Sequence, residues 1–175
     1  LEVVNIPASV TKIGDYSFKN CTKLGTLNLS EGLKSIGESA FYGCSALSSI
    51  TMPDSLTTVG TYVFKGCTGL TNVKLSNSLT RISESLFYGC TSLTSVSVPE
   101  GVKYVDGYVF KNCANLADVS LPESLTKLGE SAFYGCKKLT TIVIPKNVPT
   151  IGSYTFKACT ALADVTLPDN LKAIG

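Results

Sequence analysis

Seven cysteines, Cys21, Cys44, Cys67, Cys90, Cys113, Cys136 and Cys159, stand 23 residues apart without a slip. Phenylalanine keeps the same step at Phe18, Phe41, Phe64, Phe87, Phe110, Phe133 and Phe156. Leucine keeps it from Leu1 through Leu24, Leu47, Leu70, Leu93, Leu116 and Leu139 to Leu162. A fixed period of this size dictates the architecture before any local preference is considered. A 23-residue unit is too small to bury its own apolar face, so successive copies must stack and share one continuous core. The sequence therefore predicts a single solenoid domain over residues 1–175, holding about seven and a half repeats.

The unit that opens at Leu47 shows how a coil is made. Leu47, Ile50 and Met52 form L-x-x-I-x-M, and its last two apolar positions point the same way in an extended strand. This predicts the strand that pairs with its neighbours. Pro53 and Asp54 interrupt it, and a second short extended stretch, 56–59, sends Leu56 and Val59 inward until Gly60 ends it. The segment around each phenylalanine, such as Glu38-Ser39-Ala40-Phe41-Tyr42, reads as one short helical turn. Glu38, Glu84 and Glu130 stand at its start, where a helix dipole favours negative charge. The residue before each cysteine is Asn20, Gly43, Gly66, Gly89, Asn112 or Gly135, the two types that best tolerate a left-handed helix end; Ala158 departs from this.

The unit L-x-x-[VIL]-x-[VIL]-P-x-S-[LV]-T-x-[IV]-G-x-x-x-F-x-x-C resembles, along the whole chain, the surface-antigen class of leucine-rich repeats of bacteria and protists, the BspA-like family. The resemblance implies an α/β solenoid: a right-handed leucine-rich repeat coil with a parallel β-sheet on one face, short second strands, and short helical turns on the other. It also implies extracellular or cell-surface display, adhesion to host proteins or other cells, and no catalysis. The departures are local. Ser30 and Ser76 replace the proline, Ser83 and Asp106 replace the glycine, and Pro149 is extra, which bears on turn geometry in those coils and not on the fold.

Three columns read as structural. Burial of each phenylalanine ring contributes roughly 1.5–3 kcal/mol, so the Phe18 to Phe156 column predicts an apolar spine. Cys44, Cys67, Cys90, Cys113 and Cys136 read as buried free thiols filling small apolar spaces. An odd number of cysteines leaves at least one unpaired, and neighbours in a column lie too far apart for the roughly 3.5–4.5 Å that a disulfide requires between Cβ atoms. With no histidine and no C-x-x-C pair, the usual zinc ligand sets are missing too. The column Ser9, Gly32, Ser55, Ser78, Gly101, Ser124, Asn147 and Asn170 follows each main strand, and predicts a polar ladder that satisfies backbone groups in the turn.

The absence of histidine removes the Ser-His-Asp and Cys-His arrangements, and no phosphate-cradling glycine motif is present, so the expectation is no enzyme and no cofactor. The 15 basic and 13 acidic residues nearly cancel without a run of one sign, which argues against nucleic acid. No stretch approaches the roughly 18–20 apolar residues that a membrane helix needs, so this segment is not expected to insert in a bilayer.

Function is left to surface. On the main-strand face the outward positions are Thr26, Asn28, Ser49, Thr51, Asn72, Lys74, Ser95, Ser97, Asp118, Ser120, Thr141, Val143, Asp164 and Thr166. These are small and mostly uncharged, without the Trp, Tyr or Arg anchors of tight interfaces, which predicts broad, weak or multivalent contact with a protein or glycan at a cell surface. The opposite face carries a 46-residue period. Tyr16, Tyr62, Tyr108 and Tyr154 alternate with Ser39, Ser85 and Ser131; three positions later Lys19, Lys65, Lys111 and Lys157 alternate with Tyr42, Tyr88 and Tyr134. This predicts a zigzag tyrosine stripe edged with lysines, serving either as packing between turns or as a contact for a partner or another copy. Both ends read as open coils, expected of a piece of a longer array or of a chain stacking end to end into filaments. The reading of the whole is a binding or adhesion scaffold, with a self-assembling structural protein as the alternative.

Overall fold

In the computed structural model, which describes residues 1–175, each coil contributes two short strands and a knot of turns. The main strands are β1 (Val3–Ile6), β3 (Thr26–Leu29), β5 (Ser49–Thr51), β7 (Asn72–Lys74), β9 (Ser95–Ser97), β11 (Asp118–Ser120), β13 (Thr141–Val143) and β15 (Asp164–Thr166). The second strands are β2 (Lys12–Ile13), β4 (Ser35–Ile36), β6 (Thr58–Val59), β8 (Arg81–Ile82), β10 (Tyr104–Val105), β12 (Lys127–Leu128), β14 (Thr150–Ile151) and β16 (Ala173–Ile174). Every pairing is parallel and every register is one repeat long, as in Val3 with Thr26, Ile50 with Val73 and Val105 with Leu128. The solenoid and its coil-on-coil registry are therefore as the period requires.

One hydrophobic core of 45 buried residues runs the length of the molecule. Phe41, Phe64, Phe87, Phe110 and Phe133 have no exposed surface, and Phe18 and Phe156 are partly buried at the two ends of the column. The seven rings form one offset stack, with centroids 5.2–6.0 Å apart and planes within 8° of parallel. Leu47, Ile50, Met52, Leu56 and Val59 all point inward, as read from the unit they define.

The helical turns are not there: the molecule contains no helix, and the α/β description gives way to a parallel β-solenoid with turns on its third side. The cause lies in the amides around each phenylalanine. An α-helix spends each N–H on the carbonyl four residues back. Here alternate amides leave the segment altogether: those of Ser39, Phe41 and Gly43 donate to the carbonyls of Thr61, Val63 and Lys65 in the next coil. The amides between close three-residue turns, as Tyr42 to Ser39 and Cys44 to Phe41 do. Two left-handed residues per coil enforce the pattern. One is the Asn or Gly before cysteine, as in Asn20 (φ 59°) and Gly43 (φ 71°); Ala158 adopts the same conformation (φ 61°). The other is the Tyr or Ser of the 46-residue alternation, such as Tyr62 (φ 60°) and Ser85 (φ 55°), which the residue types do not announce. For a side chain with a Cβ this costs about 1 kcal/mol or more, and the bonds between coils hold it in place. Glu38, Glu84 and Glu130 thus have no helix dipole to complement.

All seven cysteines are free thiols. Each of the last six donates from Sγ to the carbonyl of the phenylalanine in the preceding coil, from Cys44 to Phe18 O (3.3 Å) through Cys159 to Phe133 O (3.0 Å). They are apolar fillers, as expected, and also weak donors that give each phenylalanine carbonyl a second partner beside its backbone amide. Burial pushes their thiols up, to about 11 for Cys44 and about 12 for Cys113.

Candidate functional site

The main-strand face is built by simple alternation. In the three-residue strands the middle residue faces the core and its two neighbours face solvent. Every outward position named from sequence, Thr26 to Thr166, is exposed. Some couple along their column: Asn28 Nδ2 donates to Asn5 Oδ1 (2.7 Å), and Ser120 Oγ donates to Ser97 Oγ (2.9 Å).

This sheet opens at alternate steps, which no residue pattern on the face marks. Hydrogen-bonded ladders join β1 to β3, β5 to β7, β9 to β11 and β13 to β15, whereas β3 and β5, β7 and β9, and β11 and β13 lie side by side without one. A shallow depression sits at each of those three open steps. The first, about 250 Å³, is lined by Leu27, Asn28, Leu29, Glu31, Ser49, Thr51 and Pro53. The second, about 210 Å³, is lined by Val73, Lys74, Leu75, Asn77, Ser97 and Pro99. The third, about 260 Å³, is lined by Asp118, Val119, Ser120, Leu121, Thr141, Ile142 and Val143. The depressions bring together Asn28 with Ser49 and Thr51, Lys74 with Ser97, and Asp118 with Ser120 and Thr141. Asn72, Ser95, Asp164 and Thr166 lie on the same face outside them. Successive depressions stand two coils apart, about 9–10 Å at sheet spacing. The tyrosine alternation on the far side of the coil has the same period.

That alternation becomes a physical ladder. Lys65 Nζ lies 5.8, 5.2 and 4.6 Å from the ring centres of Tyr42, Tyr62 and Tyr88. Lys111 repeats this with Tyr88, Tyr108 and Tyr134, Lys19 reaches Tyr16 and Tyr42, and Lys157 lies over Tyr154. The hydroxyls of Tyr16, Tyr62 and Tyr108 donate to the carboxylates of Glu38, Glu84 and Glu130 one coil on. Those bonds hold the phenols of Tyr16 and Tyr108 above their ordinary range, and the Glu84 charge does so for Tyr62. Ring faces, ammonium groups and carboxylates are therefore engaged with one another inside the stripe. The three-residue proximity that places Lys19 beside Tyr16 comes from a turn, with the Lys19 amide on the Tyr16 carbonyl, and not from a helix.

The polar ladder after the main strands forms at some coils only. Ser55 Oγ accepts from the Gly32 amide and donates to the Leu33 carbonyl, and Ser124 repeats the arrangement with Gly101 and Val102.

The family described as BspA type leucine-rich repeat region matches this chain in six copies, over residues 1–116 and 80–175. Among solved structures, a leucine-rich repeat protein from Eubacterium ventriosum superposes with a TM-score of 0.87 at 28% identity, over 97% of this chain and 45% of that one. The T. pallidum leucine-rich repeat protein does so with a TM-score of 0.79 at 25% identity, over 98% of this chain and 76% of the other. One from Bacteroides ovatus gives 0.62 at 28% identity, over 100% and 63%. The chain thus spans about half the length of the E. ventriosum protein. No curated protein matches it.

Proposed function

Because this chain belongs to the BspA-type leucine-rich repeat family, we propose that it is a non-catalytic binding or adhesion scaffold displayed at a cell surface, and that its main-strand face is the part that binds. The observation that carries the reading is the set of three equivalent depressions on that face, two coils apart and edged by small hydroxyl and amide side chains. Shallow sites of this kind bind weakly one at a time. A protein or glycan that spans two or three of them gains by effective concentration, with no new contact needed. The tyrosine stripe supports the coil instead, since the hydroxyls of Tyr16, Tyr62 and Tyr108 and the ammonium groups of its lysines are already engaged within it.

The test is capture of immobilised host matrix proteins and cell-surface glycans by the isolated chain, run beside sedimentation at rising concentration. The triple variant Ser49→Arg/Ser97→Arg/Thr141→Arg fills one depression per substitution. The reading predicts that it abolishes capture and leaves the melting temperature within a few degrees. Undiminished capture by the variant would move the binding face elsewhere, and self-association without ligand would favour the structural-protein alternative.

A further inference from the structure

The second-strand side of the solenoid has a charge pattern that the near-neutral total hides. Sixteen positions form its outer surface: the outward residue of each second strand and the residue before it. They hold Lys12, Lys34, Arg81, Lys103, Lys127 and Lys172, six of the fifteen basic residues and none of the thirteen acidic ones. All six are exposed. Arg81, Lys103 and Lys127 fall in three consecutive coils and form the densest part of the strip. The rest is largely threonine, including Thr57 and Thr126, whose hydroxyls bond the Lys34 and Lys103 carbonyls and so lie close to the sheet.

The strip is narrow and bordered. The loops leading into it carry Glu31, Asp54, Glu100, Glu123 and Asp169, and the turns leaving it carry Asp15, Glu38, Glu84, Asp106 and Glu130. Of its cations only Arg81 is paired across a border, with Asp106 at 2.7 Å. The strip itself is about 7 Å wide, two residues of strand. Its acidic borders repel any polyanion broad enough to cover them, a short-range effect because the Debye length is roughly 8 Å at physiological salt.

We propose that this strip is a docking surface for a linear acidic polysaccharide, a chain of sugars bearing carboxylate or sulfate groups, lying along the solenoid axis. Cations in six of the eight coils meet a charged single chain that runs past them, and the threonines among them leave room for sugar rings. A nucleic-acid duplex is too wide for the channel between the borders. A single strand requires aromatic platforms for its bases, and Tyr104, the one aromatic residue on the strip, is covered by the Arg81 guanidinium at 4.6 Å.

Fluorescence anisotropy at low salt with labelled octasaccharides tests this, using a sulfated heparin fragment, a uronate fragment from alginate, uncharged dextran and octauridylate. The surface predicts binding of the sulfated or the uronate chain, weakened by added salt, and none of dextran. Lys103→Glu/Lys127→Glu should cost at least about tenfold in affinity. The control Lys137→Glu/Lys138→Glu has the same net charge but lies off the strip, and should change affinity by less than about twofold. The gentler Lys103→Gln/Lys127→Gln decides if the first variant melts early, with at least a threefold loss expected. Failure of the native chain to bind either acidic sugar, equal losses in variant and control, or octauridylate binding as tightly as the sugars would overturn the proposal.

Discussion

Two adjacent steps of the solenoid are the same corner built with different residues. From the second coil to the third, Gly60 follows Gly37. The Gly60 amide donates to the Ile36 carbonyl (2.8 Å) and β4 pairs with β6. A Cβ on Gly60 would stand 2.7 Å from the Glu38 amide nitrogen, so the close approach depends on hydrogen in that place. From the third coil to the fourth, Ser83 stands where glycine would. Here the Ser83 hydroxyl takes the Val59 carbonyl (2.5 Å), and the second-strand sheet divides between β6 and β8. The turn side ignores the interruption, since the Tyr62, Phe64 and Gly66 amides still reach Glu84, Leu86 and Tyr88, and the Phe64 and Phe87 rings stay 5.9 Å apart. The solenoid thus tolerates a gap at one corner because its spine and its turn-side bonds are continuous.

If the spine matters more than the corner, Phe87→Ala should cost about 3–5 kcal/mol, measured by urea denaturation, because a fully buried ring leaves a cavity that stacked neighbours cannot fill. A loss under about 1 kcal/mol would reverse that ranking. Transplanting the open corner with Gly60→Ser should cost about 1–3 kcal/mol as backbone contacts separate. The converse, Ser83→Gly, should restore amide protection at Arg81 and Ser83 with less than about 1 kcal/mol net change, since the gained ladder is offset by glycine's extra freedom when unfolded.

The thiol column should add an alkaline dependence common to both steps. Burial raises the folded-state pKa of these cysteines above the unfolded value of about 8.5. Their contribution is complete below about pH 8.5 and is lost as pH rises toward 11 to 12, because the unfolded chain then releases protons that the folded one keeps. Denaturation midpoints at pH 7 and pH 10 should therefore converge in Cys113→Val relative to the native chain. Smallest of all, Lys65→Met should cost about 0.5–1 kcal/mol, since it removes one partly exposed cation from its tyrosines.

The stack, its registry and its core were legible because columns such as Phe41, Phe64 and Phe87 report the period directly. The polar ladder at Ser55 and Ser124 was legible for the same reason. Ala40, Phe41 and Tyr42 suit a helical turn, and what decides against a helix there is non-local: the next coil lies close enough to take alternate amides. Left-handed tyrosines carry no local warning, since the conformation is paid for by bonds to Glu84 and its neighbours 22 residues away. The sheet depressions and the basic strip were hidden differently. Asn28 and Thr51 look alike whether their strands are laddered or not, and the strip's six cations sit in two columns that never form a run in sequence.

The central claim is that alternate amides of each phenylalanine segment bond to the next coil and not to the carbonyls four residues back that a helix would use. Through-hydrogen-bond scalar couplings in a deuterated, isotope-labelled sample read this directly. The account predicts correlations from the Ser39, Phe41 and Gly43 amide nitrogens to the Thr61, Val63 and Lys65 carbonyl carbons. Correlations from those nitrogens to carbonyls four residues earlier in their own coil would contradict it.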